Sequence, residues 1–327
     1  MKKTVISLLL IVACLFSGFN LMTPTTNAAK DEIVVAVMLP NVGDIYFQKK
    51  WYGYSTAAEK LGVKALLYDA GGYANVSKQI NQVEDVVQKG VDAIIYHPCH
   101  SEAGVPVIEE AIRQGIKVVN DNQPCPAPSI HSTIMIDFFA TGRAFAQWVA
   151  LDSKGKGKVI ILPGPVGGDQ NTLLLQGQQE VFRRFPGIEI LDIQYCESNV
   201  AAGLKVMEDL IQAHPDVEYI TCFADQLTQG VIQALRAAGK KPGEVKVLGF
   251  NMSDLTRSLF EEGWITVLGL SRPVDMARQS MELAVSLVKG EDVPKMTWIY
   301  HDLLTRDMLD VTDLKPNTVP KGWKIKF

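Results

Sequence analysis

The chain reads as an α/β protein built from two doubly wound lobes, and three observations carry that reading. Short, uniformly apolar, β-branched runs alternate with helix-period segments almost from end to end, as parallel strands covered on both faces by helices require. At 327 residues the chain exceeds one ordinary domain and suits two of about 130 to 150 residues. A helix-into-strand segment also occurs twice. Val83-Glu84-Asp85-Val86-Val87-Gln88 leads to Val91-Asp92-Ala93-Ile94-Ile95, and Met207-Glu208-Asp209-Leu210-Ile211-Gln212 leads to Val217-Glu218-Tyr219-Ile220. The match points to two copies of one unit; the alternative source is the helix–turn–strand grammar that all such units share.

In the first half, Ile33–Leu39, Lys64–Tyr68, Ala93–Tyr96, Lys117–Val119 and Ser132–Ile136 read as strands. Between them Phe47–Lys60, Asn75–Lys89 and Val105–Arg113 carry apolar residues at helical spacing,. Gly62, Gly90 and Gly115 follow these helices where a left-handed terminal glycine belongs,. The second half repeats the scheme, with strands near Lys158–Leu162, Glu189–Tyr195, Tyr219–Phe223, Val245–Gly249 and Thr266–Leu268. In open sheets of this kind a ligand sits outside the carboxyl ends of the strands, where strand order reverses. Two such sheets facing one cleft would grip a molecule from both sides and close about a hinge.

The N-terminus carries Lys2 and Lys3, an apolar run from Val5 to Ala13 and the small residues Thr26-Asn27-Ala28-Ala29, the three parts of a secretory signal peptide over residues 1–28. Ile11-Val12-Ala13-Cys14 also resembles a lipoprotein cleavage box, so lipid anchoring at Cys14 is the alternative to simple release. Either route places the protein outside the cytoplasm, in the periplasm. Of the remaining cysteines, Cys99 and Cys125 fall beyond neighbouring strands, where they either bridge or remain buried thiols,. Cys196 and Cys222 fall on strands expected to be separated by a third, so no bridge is expected there. A formal net charge of −4 gives no basic face for nucleic acid.

From Ile33 to about Pro294 the sequence resembles the type I periplasmic binding proteins of the ribose-binding class. The segments that carry the resemblance are Val91-Asp92-Ala93-Ile94-Ile95, Ala213-His214-Pro215-Asp216-Val217, Ala237-Ala238-Gly239-Lys240, Val247-Leu248-Gly249-Phe250 and Lys289-Gly290. The resemblance implies a three-strand hinge. It also implies an N-terminal lobe of residues 29–137 plus about 272–297, and a C-terminal lobe of 138–271 plus about 298–327. The sugar-binding pattern departs from the family's: where an Asp-Arg pair is usual after the fourth strand, this chain has Asn120-Asp121-Asn122-Gln123. Thr172-Leu173-Leu174-Leu175 likewise replaces an expected arginine, and the Gly-Phe-Asp turn has become Gly249-Phe250-Asn251. Pro40, Asp44, Tyr46, Phe47, Tyr52, Gly53, Ala70-Gly71-Gly72-Tyr73 and Leu162-Pro163-Gly164-Pro165 look more like the trimethylamine-N-oxide-binding branch, which serves a sensor histidine kinase. That resemblance implies an aromatic cage, with Phe47 and Phe138 standing where the branch uses tryptophans, Tyr73 retained and Asn251 in place of a tyrosine.

The candidate ligand contacts are therefore Asp44, Tyr46, Phe47, Tyr73, Phe138, Asp225 and Asn251. Tyr46 and Phe47 closely follow the first strand and offer an aromatic face to a sugar ring or a cationic nitrogen, or else plug the space under the first helix. Asp44 either accepts a hydrogen bond from the ligand or caps that helix. Tyr73 follows paired glycines that allow close approach. Phe138 is a cage wall or hinge packing. Asp225 and Asn251 follow C-lobe strands. The turn Pro163-Gly164-Pro165-Val166-Gly167-Gly168-Asp169 is a plain strand–helix turn or a receiver of a polar ligand group,. His97-Pro98-Cys99-His100 lacks a second cluster to complete a metal site,. No nucleophile elbow, HExxH or dinucleotide fingerprint is present,, so neither catalysis, cofactor nor metal is expected. The expected function is to close on a small polar ligand, trimethylamine N-oxide or similar, and present it to an inner-membrane sensor kinase. The alternative is the substrate-binding subunit of a sugar-type ABC transporter, docking on a permease.

Overall fold

The structure is a computed structural model that describes residues 32–166 and 169–325. The signal-peptide segment and Cys14 lie outside the described residues.

Two sheets organise the chain. The first contains β1 (Val34–Leu39), β2 (Lys64–Asp69), β3 (Ala93–Tyr96), β4 (Lys117–Asp121), β5 (Ser132–Ile136) and β11 (Met296–Ile299). The second contains β6 (Lys156–Leu162), β7 (Gly187–Ile193), β8 (Tyr219–Cys222), β9 (Lys246–Phe250), β10 (Ile265–Leu270) and β12 (Asp302–Thr305). Their strand orders are β11-β5-β4-β3-β1-β2 and β12-β10-β9-β8-β6-β7. Each order becomes the other when every strand is replaced by its counterpart, so both lobes share one topology. All pairings are parallel except β10 with β12. The repeated sequence segment falls on counterparts: the helix α2 (Val76–Gln88) enters β3 and α6 (Val200–Ala213) enters β8.

The helices cover both faces. α1 (Ile45–Leu61) starts on Asp44, whose carboxylate accepts from Tyr46 N at 2.7 Å, and stops at Gly62 with φ 67°, the left-handed conformation that glycine enters without steric penalty. α1 packs closely on α9 (Pro273–Val288), a helix that returns from the second lobe to lie over β3 and β4. In the second lobe α5 (Asp169–Phe182) packs on α4 (Phe138–Asp152) in the same way. Gly53 of α1 and Gly177 of α5 make these approaches possible: a Cβ on Gly53 would stand 2.8 Å from Ala277 Cβ, and one on Gly177 would stand 3.0 Å from Arg143 N. The remaining helices are α3 (Val105–Arg113), α7 (Asp225–Ala237) and α8 (Asp254–Glu261).

The chain crosses between the sheets after β5, after β10 and between β11 and β12. The tail then runs back over the join. Leu309 and Leu314 pack on the second lobe's core, whereas Trp323 and Ile325 pack on the first lobe's, with the Trp323 ring 5.2 Å from Tyr52 of α1. Cys99, Cys125, Cys196 and Cys222 are free thiols. Among the described residues no helix is long and apolar enough to cross a membrane.

Candidate functional site

The carboxyl ends of β1 to β5 carry the first half of the site. Phe47, on the first turn of α1, is buried, and its ring lies 5.4 Å from Tyr46, 4.9 Å from His97 and 6.3 Å from Tyr73. Tyr73 remains 47% exposed, held at the surface by a turn in which Gly71 and Gly72 take φ of 84° and 145°. Its hydroxyl lies 3.3 Å from His97 Nε2. Burial, helped by the nearby Lys50 charge, holds His97 well below the ordinary histidine range, so the ring is neutral. Its Nδ1 is buried without a hydrogen-bond partner. Phe47, Tyr73 and His97 thus form an aromatic wall with one polar edge. Asp44 is exposed at the rim and committed to its cap.

Beneath the wall lies a buried charge pair. Lys50 and Asp121, at the end of β4, are ion-paired with both side chains 0% exposed. Asp121 also accepts from Tyr54 OH and from Ser280 Oγ of α9, the latter at 3.2 Å. Burial lowers the Lys50 ammonium, opposed by Asp121, and raises the Tyr54 phenol, reinforced by Asp121.

The second half comes from β8, β9 and β10. Asp225 opens α7 and accepts from Thr256 Oγ1 and from Gln229 Nε2 at 3.0 Å. Burial raises its carboxyl, opposed by hydrogen bonds from Ser253 and Gln229 and by the Lys49 charge. Asn251, just beyond β9, bonds to Ser271 Oγ and takes φ 61°. Its counterpart just beyond β4, Asn122, takes φ 65°. Asn122 N donates to Ile134 O at 2.8 Å, and Asn251 N donates to Gly269 O at 2.9 Å, so each caps its strand against the next one along. Among the described residues only Lys154 is another non-glycine with positive φ. The same left-handed conformation thus recurs at equivalent strand ends of the two lobes.

Phe138 does not join the wall. Its ring lies 5.7 Å from Phe223 and 5.7 Å from His301, and Phe250 lies 4.7 Å from Phe223 and 4.9 Å from His301. Phe138 and Phe223 also reach the first lobe's core, so this group packs the hinge. A second cross-lobe tie is Lys49 Nζ, which donates to Met252 O at 3.1 Å. Beside the hinge a cavity of about 210 Å3 has among its lining residues Asn122, Gln123, Asp137, Phe138, Gln170 and Trp298, a volume suited to a compact ligand rather than a drug-sized one. A larger groove near Phe182, Pro186 and Ile190 lies on the outer flank of the second lobe, at the opposite end of β7 from the cleft.

The sequence reading overlooked three residues. Lys50 falls on the inward stripe of α1, three after Phe47 and four before Tyr54, so a charge on an apolar face was the available signal. Asn122 had drawn notice only for the arginine it lacks. His97 belonged to a motif considered for metal; among the described residues no group of three or more His, Cys, Asp or Glu could hold a metal ion, and His100 instead accepts weakly from Glu102 N and Ala103 N.

Known proteins bear on this geometry. The chain is 26% identical over 301 residues to the ribose import binding protein RbsB of Bacillus subtilis (strain 168), covering 90% of this chain and 96% of that protein. It is also 26% identical over 291 residues to the D-allose-binding periplasmic protein of Escherichia coli (strain K12), covering 85% of this chain and 92% of that one. The structure of an ABC transporter solute binding protein from Bradyrhizobium sp. BTAi1 superposes with a TM-score of 0.84 at 24% identity, covering 90% of this chain and 89% of that one, a likeness in fold. Residues 35–292 match the periplasmic binding protein domain, and the chain belongs to that family of solute-binding proteins, which are not enzymes.

Proposed function

We propose that the chain is the exported substrate-binding component of an ABC importer for a small sugar or polyol. The observation that carries this reading is that an aromatic pair, Phe47 and Tyr73, and two left-handed asparagines, Asn122 and Asn251, all follow the carboxyl ends of parallel strands, where ligands of such sheets sit. An apolar face with a few convergent neutral polar groups is what a sugar's ring and hydroxyls require. The likeness to ribose and allose binders supports the same class. The N-terminal pattern of Lys2, Lys3 and the following apolar run supports export to the periplasm,. The moving bodies are the two sheets with their helices, dividing near Asp137, Ser271 and Tyr300.

A second reading, a receptor that presents trimethylamine N-oxide to a sensor kinase, draws on the Phe47–Tyr73–His97 cluster. Phe138 packs with the hinge aromatics and also lines the cavity beside them; the likeness to ribose and allose binders favours the sugar reading. A thermal-shift titration separates the two. Because ligand binds only the folded state, saturation to about 100 times Kd stabilises by about 2.7 kcal/mol. D-ribose or D-allose is expected to raise the melting temperature with concentration, and Phe47→Ala and Tyr73→Ala to abolish the response without unfolding the protein. A response to trimethylamine N-oxide and to no sugar would overturn the proposal.

A further inference from the structure

Among the described residues that line the 210 Å3 cavity beside the hinge, Asp137 is the one charged group. It follows β5 and caps α4, and its Oδ1 accepts from Ala140 N at 2.8 Å. Among the described residues no cation is paired with it. The arginines on the segments around it are engaged elsewhere, Arg143 with Glu180 and Arg272 with Asp275 and Asp302. His301 reaches the same turn of α4, with Nδ1 2.9 Å from Thr141 Oγ1. Burial lowers its pKa to about 3, so the ring adds no positive charge. The Lys50 ammonium is committed to Asp121. The rest of the lining supplies rings and neutral acceptors. Phe138, Phe139 and Trp298 border the cavity, and Asn122 brings an amide whose buried Oδ1 has no hydrogen-bond partner among the described residues.

We propose that this cavity is a subsite for a protonated amine, with Asp137 as its counter-charge, so that the preferred cargo is an amino sugar or amino polyol rather than the neutral parent. The inference rests on the sugar-receptor reading above and adds the charge of the ligand to it. An uncompensated carboxylate, an orphaned amide oxygen and three aromatic rings around one compact space match an ammonium group on every count. Its three donors suit the two acceptors, its charge balances the carboxylate, and it is attracted to aromatic faces. A hydroxyl in its place would satisfy an acceptor but leave the carboxylate unbalanced as water is displaced, which is costly. A ligand carboxylate would add like-charge repulsion.

The test is calorimetric titration of the full exported chain at mildly acidic pH, where the ligand amines are protonated. It compares two matched pairs, D-glucosamine with D-glucose and D-glucamine with D-sorbitol, beside D-ribose and D-allose. At least one amine is expected to bind about tenfold more tightly than its neutral parent, the advantage of a charge-assisted hydrogen bond over a neutral one. Asp137→Asn removes the charge and keeps a side chain that caps a helix as well as aspartate does. In that variant the amine-to-parent affinity ratio should fall to about one. Should it fail to fold, Asp137→Ser, also a capping residue, carries the same expectation. Neutral sugars that bind while neither amine exceeds its parent would overturn the proposal and leave the sugar reading standing; no binding by any of these compounds overturns both. An amine preference that survives the loss of the Asp137 charge also overturns the proposal, because the counter-charge would then lie elsewhere.

Discussion

Replacing Lys50 with methionine isolates the energetics of the buried pair. The substitution keeps much of the aliphatic volume and removes the ammonium from a site where both side chains are 0% exposed. Breaking one partner out of such a pair costs about 3–5 kcal/mol, because the other charge is left desolvated. Here the cost has a ceiling. The stranded carboxyl can take up a proton instead, and for an ordinary aspartic acid at pH 7 that requires about 4 kcal/mol, falling by about 1.4 kcal/mol for each unit of acidification. Tyr54 and Ser280 remain as donors to Asp121 and pull the loss below that ceiling. The expected loss in urea unfolding is therefore about 3 kcal/mol at pH 7, shrinking to about 1 kcal/mol at pH 5. Lys50→Met/Asp121→Asn, with no stranded charge, should recover to within about 1 kcal/mol of wild type. A single-variant loss below about 0.5 kcal/mol at pH 7, or one that does not shrink with acid, would refute this account.

Three further outcomes follow from the same geometry. Lys49→Ala deletes the cross-lobe hydrogen bond to Met252 O; a charged hydrogen bond is worth about 1.5–3 kcal/mol, so affinity for the bound sugar should fall by at least about tenfold and the ligand-free radius of gyration should rise in X-ray scattering. Gly53→Ala forces a methyl against the Val274 carbonyl and Ala277, and urea denaturation should register about 1–3 kcal/mol of lost stability. His97 is held well below its ordinary range and His301 is lowered to about 3, both by burial. The unfolded chain therefore takes up protons that the folded chain refuses as pH drops below about 6.5, and stability is lost from there downward toward pH 3 by up to about 1.4 kcal/mol per unit for each ring. His301→Gln should flatten that slope, and an unchanged slope would contradict the burial of its neutral ring.

The elements were legible because periodicity reports burial, and burial dominates this fold. The segment expected as Lys117–Val119 shows where that signal stops. β4 runs on to Asp121, and the apolar pattern breaks at Asn120 and Asp121 although both are buried, because Asp121 is matched there by Lys50, Tyr54 and Ser280. Lys50 was hidden for the same reason: a charge on an inward stripe is uninterpretable until the partner, 71 residues away in sequence, is known. The direction of Phe138 was equally unreadable, since its choice between wall and hinge depends on Phe223, Phe250 and His301, which arrive from three other segments.

The two lobes share a topology but not a chemistry, and that difference bears on how a ligand sits. Only the left-handed asparagine is common to both half-sites, Asn122 in one and Asn251 in the other. The aromatic residues Phe47, Tyr73 and His97 all belong to the first lobe, while Asp225, Asn251 and Ser271 in the second are bound to neighbours in their own lobe. The first lobe thus presents an apolar face, and the second a polar face whose groups are already hydrogen-bonded. The bond from Lys49 to Met252 O ties the lobes together and makes no demand on ligand chemistry. On the proposed reading, Lys49 and the hinge aromatics govern how readily the lobes stay together, whereas the residues at the cleft-facing strand ends govern what they close upon. Substitutions of the first kind should weaken all ligands alike, and those of the second should reorder them.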